Sequence, residues 1–125
     1  MLNYLVISLG AALGGVFRYG LASFIQNKVE SFFPYGTLIV NITGSFVLGF
    51  IMYYLDEKDF LSPEMRLFLT VGLCGGFTTF STFSYETLNL IRNSQFLLAT
   101  TNVLVSVFLC LIAIYLAYIV SKVIG

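Results

Sequence analysis

Gly75-Gly76-Phe77-Thr78-Thr79-Phe80-Ser81-Thr82-Phe83-Ser84-Tyr85-Glu86 is the stretch that decides the fold of this chain. It lies inside an apolar segment from Arg66 to Ile91. That length exceeds the ~20 residues a helix needs to cross a bilayer. Paired glycines and a dense run of hydroxyls at mid-membrane do not suit a straight, lipid-facing helix. Backbone that leaves helical geometry at such depth must be enclosed by protein or line a cavity. We read Gly75 to Thr79 as a helix break whose freed carbonyls can hold a cation, a device that broken membrane helices use. The competing reading is a glycine-rich kink packed by Ser and Thr side chains.

Outward from this stretch, the composition agrees with a membrane setting. Of 125 residues, 58% are hydrophobic and only 10% charged, against roughly 25% charged in ordinary soluble chains; mean hydropathy is +0.95. Four segments, 2–25, 37–55, 66–91 and 96–120, predict an all-α membrane protein with four transmembrane helices, the third broken at mid-membrane. One multi-pass domain occupies residues 1–125. Before the third crossing, Ser62 reads as a helix N-cap, with Pro63 at the first helical position and Glu64 in the first turn. The first segment lacks a basic leader and contains Arg18, so it reads as a true crossing and not a cleaved signal peptide.

Much chemistry is excluded. Histidine is absent, which removes the usual general base and the commonest metal ligand. Cys74 and Cys110 lie in apolar runs without metal-ligand spacing and read as small apolar fillers. A net charge of zero offers no basic face to nucleic acid. The chain is not read as an enzyme.

Four crossings place both termini on one face with the 56–64 loop. Lys58, Arg66 and Lys122 belong to that face. Lys28 and Arg92 belong to the other, with Arg18 if its side chain snorkels outward. Orientation in a bilayer follows Lys/Arg asymmetry, and three against three gives none. Insertion both ways up, and hence an antiparallel homodimer, is the expectation; a single orientation fixed by another factor is the alternative. Gly10, Gly14, Ala11 and Gly15 form overlapping small-xxx-small pairs, and Gly44 and Gly49 thin the second helix, so backbones can approach closely.

Polar side chains inside a membrane are costly unless they meet a partner or water. Thr37, Asn41 and Ser45 recur every four residues on one stripe of the second helix, and Asn102 and Ser106 repeat the spacing on the fourth. Each stripe is either glue between helices or the lining of a path. With Ser81 and Thr82 these groups offer hydrogen-bond donors without a formal positive charge. Phe80 and Phe83 share a face beside them, and an aromatic ring presents a positive edge. Donors plus ring edges suit a small, hard, hydrated anion, and the lack of fixed charge keeps binding weak enough for release. Glu86 is the discordant member, since a carboxylate repels an anion unless it is hydrogen-bonded or protonated.

At these residues the sequence resembles the Fluc (CrcB-type) fluoride channel family over essentially its whole length. The carrying segments are Gly14-Gly15-Val16-Phe17-Arg18-Tyr19, Gly36-Thr37-Leu38-Ile39-Val40-Asn41-Ile42-Thr43-Gly44-Ser45-Phe46, and the Gly75–Glu86 stretch. The resemblance implies an antiparallel, dual-topology homodimer with two fluoride pores at its interface, in a bacterial plasma (inner) membrane. It implies that Asn41 lines the pore, that Phe80 and Phe83 touch fluoride with their ring edges, and that Thr37, Ser81, Thr82 and Glu86 follow on a polar track; Ser106, from the fourth-helix stripe, joins them as a candidate pore residue. It places Arg18 near a vestibule and a structural sodium ion on the Gly75 and Thr78 carbonyls at the dimer centre. The implied role is passive efflux of fluoride that enters as the weak acid. A small multidrug-resistance-type, proton-coupled cation exporter is the rival, but it needs a carboxylate on the first helix, and none lies between Leu2 and Ile25.

Overall fold

The computed structural model describes residues Met1 to Gly125. Four apolar crossings make up almost all of it: Leu2–Lys28, Tyr35–Asp56, Pro63–Arg92 and Phe96–Ile124. We label the helices α1 (Leu2–Lys28), α2 (Tyr35–Asp56), α3 (63–77), α4 (Phe80–Arg92) and α5 (Phe96–Ile124). The third crossing is therefore two helices, α3 and α4. Every crossing runs further than its apolar pattern: α1 continues to Lys28, and α5 to Ile124. Backbone bonding carries a helix past its last apolar residue until a cap or turn stops it.

Those stops are chemically plain. The Ser62 hydroxyl accepts from the Met65 N–H at 3.1 Å, and Pro63 opens the helix that follows, as the sequence predicts. Asp59 and Ser94 take positive φ of 62° and 61° and reverse the chain within short turns. Between α1 and α2, Gln26 works as a staple. Its amide Nε2 donates to the Phe33 carbonyl at 3.2 Å, and its Oε1 accepts from the Gly36 N–H at 3.0 Å. Two stretches, Ile51–Asp56 and Phe68–Cys74, wind as π-helix, the wider turn that recurs next to functional sites.

Small residues set the packing. α1 lies along α3, where Gly10 and Gly14 on one helix meet Gly72 and Gly76 on the other. A β-carbon on Gly76 would come within 2.6 Å of the Ala11 carbonyl oxygen, and one on Gly72 within 2.8 Å of that of Ile7. Gly76 is thus fixed by contact between helices. Gly15, by contrast, meets nothing within 4 Å, so the α1 seam runs through Gly10 and Gly14. α2 packs chiefly on α5, with Gly49 against Ala117 and Ile114. Val40 and Ala117 are fully buried on this bundle axis. α4 leans mainly on α5, which leaves much of its surface uncovered.

Candidate functional site

The break is narrower than the sequence suggests. Gly75, Gly76 and Phe77 remain helical, and only Thr78 (φ −87°, ψ 159°) and Thr79 (φ −152°, ψ 122°) are extended. Two β-branched threonines, not the glycine pair, occupy the extended positions, as their propensity favours.

An extended pair in mid-membrane strands backbone groups, so their partners are the first question. Asn41, reaching over from α2, answers for Thr79 on both sides. Its Nδ2 donates to the Thr79 carbonyl at 3.0 Å, and its Oδ1 accepts from the Thr79 N–H at 2.8 Å. The Thr79 hydroxyl caps α4 by accepting from the Thr82 N–H at 3.1 Å. On the other side, the Thr78 hydroxyl donates back to the Cys74 carbonyl at 2.9 Å. Arg18 completes the junction. Its Nε donates to the Gly76 carbonyl at 3.1 Å, so the half-buried guanidinium meets the negative end of the α3 dipole. Arg18 therefore turns into the protein and does not snorkel outward, which leaves two basic residues, Lys28 and Arg92, on that face.

These diversions release two carbonyls. In an unbroken helix the Gly75 carbonyl would accept from the Thr79 N–H, and the Thr78 carbonyl from the Thr82 N–H. Both N–H groups bond elsewhere, to the Asn41 Oδ1 and the Thr79 hydroxyl.

Beside the break lies a groove of about 460 Å³ between α2, α3, α4 and α5. It gathers Asn41, Phe80, Phe83 and Ser106, together with Gly75 and Thr78. Ser45, from the α2 stripe, lines it too, as do both free cysteines. The Phe80 and Phe83 ring centroids stand 5.4 Å apart with planes tilted by 46°, so the rings do not stack and leave edges available. Phe80 is 76% exposed on the single chain.

The remaining sequence-predicted residues lie off this groove. Ser81 is exposed, with its hydroxyl 3.3 Å from that of Thr79, and Thr82 is half-buried at the start of α4. Thr37 is buried on α2 and lies beside Glu86 of α4, whose Oε1 is buried without a hydrogen-bond partner. This second polar locus sits one to two turns from the groove, toward the Lys28 and Arg92 face.

A polar chain links α5 to α4. Ser106 Oγ donates to Asn102 Oδ1 at 3.2 Å, Asn102 Nδ2 donates to Thr87 Oγ1 at 2.9 Å, and Thr87 Oγ1 donates to the Phe83 carbonyl at 2.8 Å. The i, i+4 spacing of Asn102 and Ser106 marks their shared stripe, but Thr87 carries no comparable sequence signal. Its hydroxyl is one of many on that helix.

Comparison with known proteins places the whole chain in a known context. Residues 5–118 match the family model described as CrcB-like protein, Camphor Resistance (CrcB). The chain is 40% identical over 122 residues to the fluoride-specific ion channel FluC of Methylocella silvestris, covering 96% of this chain and 93% of that one. It is 45% identical over 116 residues to the FluC of Shewanella baltica, covering 93% of each chain. It is also 44% identical over 116 residues to the fluoride-specific ion channel FluC 1 of Methanosarcina acetivorans, covering 93% of this chain and 88% of the relative.

Proposed function

This chain belongs to the CrcB family, and on that premise we propose that it is a fluoride-specific ion channel, a multi-pass membrane protein and not an enzyme. The observation that carries the pore reading is the convergence of Asn41, Phe80, Phe83 and Ser106 on one groove beside the broken third crossing. These groups offer amide, hydroxyl and ring-edge partners to an anion without a lysine or arginine in the groove lining. A hydrated fluoride exchanges water for such dipoles, and their lack of formal charge lets it leave again. The Thr37 and Glu86 locus, with Ser81 and Thr82, extends the path along α4. Flow is passive and lets out fluoride that enters a bacterial cell as its neutral acid, across the inner membrane.

The conducting unit in this reading is an antiparallel homodimer of chains inserted both ways up. The exposed Phe80 and the sparsely covered α4 supply the face that a second copy covers. The small basic-residue bias, three residues against two once Arg18 is assigned to the break, is consistent with dual insertion.

The released Gly75 and Thr78 carbonyls fit a sodium ion, a hard cation that takes oxygen ligands and that half-helix carbonyl ends hold in other membrane proteins. Two chains would contribute four such oxygens, and the ion would supply fixed positive charge between the subunits.

Phe80→Ile and Phe83→Ile test the groove. Each keeps an apolar side chain but loses the ring edge. Fluoride efflux from liposomes should slow several-fold or more while the dimer survives size-exclusion chromatography. Full wild-type flux in both variants would remove the groove from the path.

The proton-coupled exporter is disfavoured on the structure as well as the sequence. α1 carries no acidic residue, and its one charged group before Lys28, Arg18, is tied to the break.

A further inference from the structure

We infer that Asn102 is a positioning residue for conduction: by rotating its side-chain amide it turns Ser106 from a hydrogen-bond acceptor into a donor toward the groove. This rests on the groove being the fluoride path.

The argument begins with a mismatch. Ser106 lines the groove, yet its hydroxyl hydrogen is committed to Asn102 Oδ1. In that state the serine shows the groove only lone pairs, which repel an anion. Its single O–H must be freed before it can contribute to conduction.

The chain behind Ser106 permits that release. Asn102 is 1% exposed, so neither end of its amide can turn to solvent, and both must find partners within the protein. Both neighbours, Ser106 and Thr87, are hydroxyls, and a hydroxyl can donate or accept. Rotation of the amide by half a turn exchanges its ends without moving a backbone atom. Asn102 Nδ2 then donates to Ser106 Oγ, and Thr87 Oγ1 donates to Asn102 Oδ1. Thr87 gives up its side-chain bond to the Phe83 carbonyl, an oxygen that the helical backbone of α4 also serves. Ser106 is left with its O–H free to donate to fluoride in the groove.

The number of hydrogen bonds is the same in both arrangements. The observed chain has Ser106 to Asn102, Asn102 to Thr87 and Thr87 to Phe83. The rotated chain has Thr87 to Asn102, Asn102 to Ser106 and Ser106 to fluoride. The two differ by the presence of the anion, so fluoride itself selects the donor state, as a ligand shifts a two-state equilibrium toward the state it binds better. A fixed donor at this point would be idle between ions. A reversible one is satisfied both empty and occupied.

The test is a double-mutant cycle on fluoride efflux from liposomes, with Ser106→Ala, Asn102→Leu and the double variant. Without Asn102, Ser106 falls back on its own helix backbone, directed away from the groove. Each single variant should therefore lose at least about tenfold in rate and need more fluoride for half-maximal conductance, as loss of one hydrogen bond to a charged group implies. The double variant should lose no more than either single one. Multiplied losses, with half-saturation unmoved in Asn102→Leu, would mean that Asn102 only holds helices together and would overturn the inference. Slowed flux in Ser106→Ala with wild-type flux in Asn102→Leu would overturn it too, while leaving the groove as the path. Wild-type flux in Ser106→Ala would remove Ser106 from the path altogether, and no fluoride flux from the unaltered protein would defeat the channel reading itself.

Discussion

Replacing Asn41 with leucine attacks the junction on which the third crossing depends. The side chain keeps its branched shape and its number of heavy atoms, so the change chiefly removes the two hydrogen bonds of 3.0 and 2.8 Å to the Thr79 backbone. Their loss orphans one N–H and one C=O inside the membrane. At about 1–3 kcal/mol for each stranded group, the penalty is about 2–6 kcal/mol. The local escape is to let the Thr79 N–H close onto the Gly75 carbonyl and straighten the helix, which draws Thr78, Thr79 and Phe80 away from the groove. Two readouts follow. Thermal unfolding in detergent should move to lower temperature, and fluoride efflux from liposomes should fall by at least roughly tenfold, the equivalent of 1.4 kcal/mol. Asn41→Asp is the informative companion. It keeps an acceptor for the Thr79 N–H but sets a carboxyl oxygen against the Thr79 carbonyl, so it too should lose flux. If Asn41→Leu unfolds and conducts like the unaltered protein, Asn41 is not the clamp of the break and the reasoning fails.

Other outcomes follow from the same structure. Gly76→Ala sets a methyl group 2.6 Å from the Ala11 carbonyl oxygen, and should destabilise the folded protein by about 1–3 kcal/mol as overpacking against backbone does; Gly15→Ala, which meets nothing within 4 Å inside a helix, should leave the melt where it is or raise it by up to about 1 kcal/mol in stability. Arg18→Ala removes the cation from the end of α3 and should cost up to about 2 kcal/mol, visible as a lowered unfolding temperature that Arg18→Lys partly restores. Neutralising Lys28 and Arg92 together leaves Lys58, Arg66 and Lys122 as the basic face, and accessibility labelling of introduced cysteines should then report one orientation; persistent labelling from both sides would show that these charges do not set topology.

The crossings were legible because length and hydropathy alone mark a membrane helix, and the Ser62-Pro63-Glu64 cap was legible because capping is local chemistry. The break was legible in place but not in cause. Paired glycines drew attention to Gly75 and Gly76, whereas Gly76 is there to let α1 approach, a contact some 60 positions away that no local pattern reveals. The extended residues are Thr78 and Thr79, held by an asparagine on another helix. Asn41 stands out in sequence as a costly amide in an apolar run. That it serves backbone as well as lining the groove depends on which helix faces it. Arg18 shows the same gap: a lone arginine in a crossing reads as snorkelling, and only the packing of α1 on α3 turns it inward. The Thr37 and Glu86 pairing and the Thr87 link in the α4–α5 chain likewise join separate helices, beyond the reach of spacing on either one.

The most direct measurement is ion release from liposomes loaded with equal fluoride and chloride and containing the purified protein. Fluoride should escape quickly once its charge is balanced by a potassium ionophore, and chloride should stay inside. Release of both halides at similar rates, or fluoride retention matching protein-free vesicles, would contradict the account.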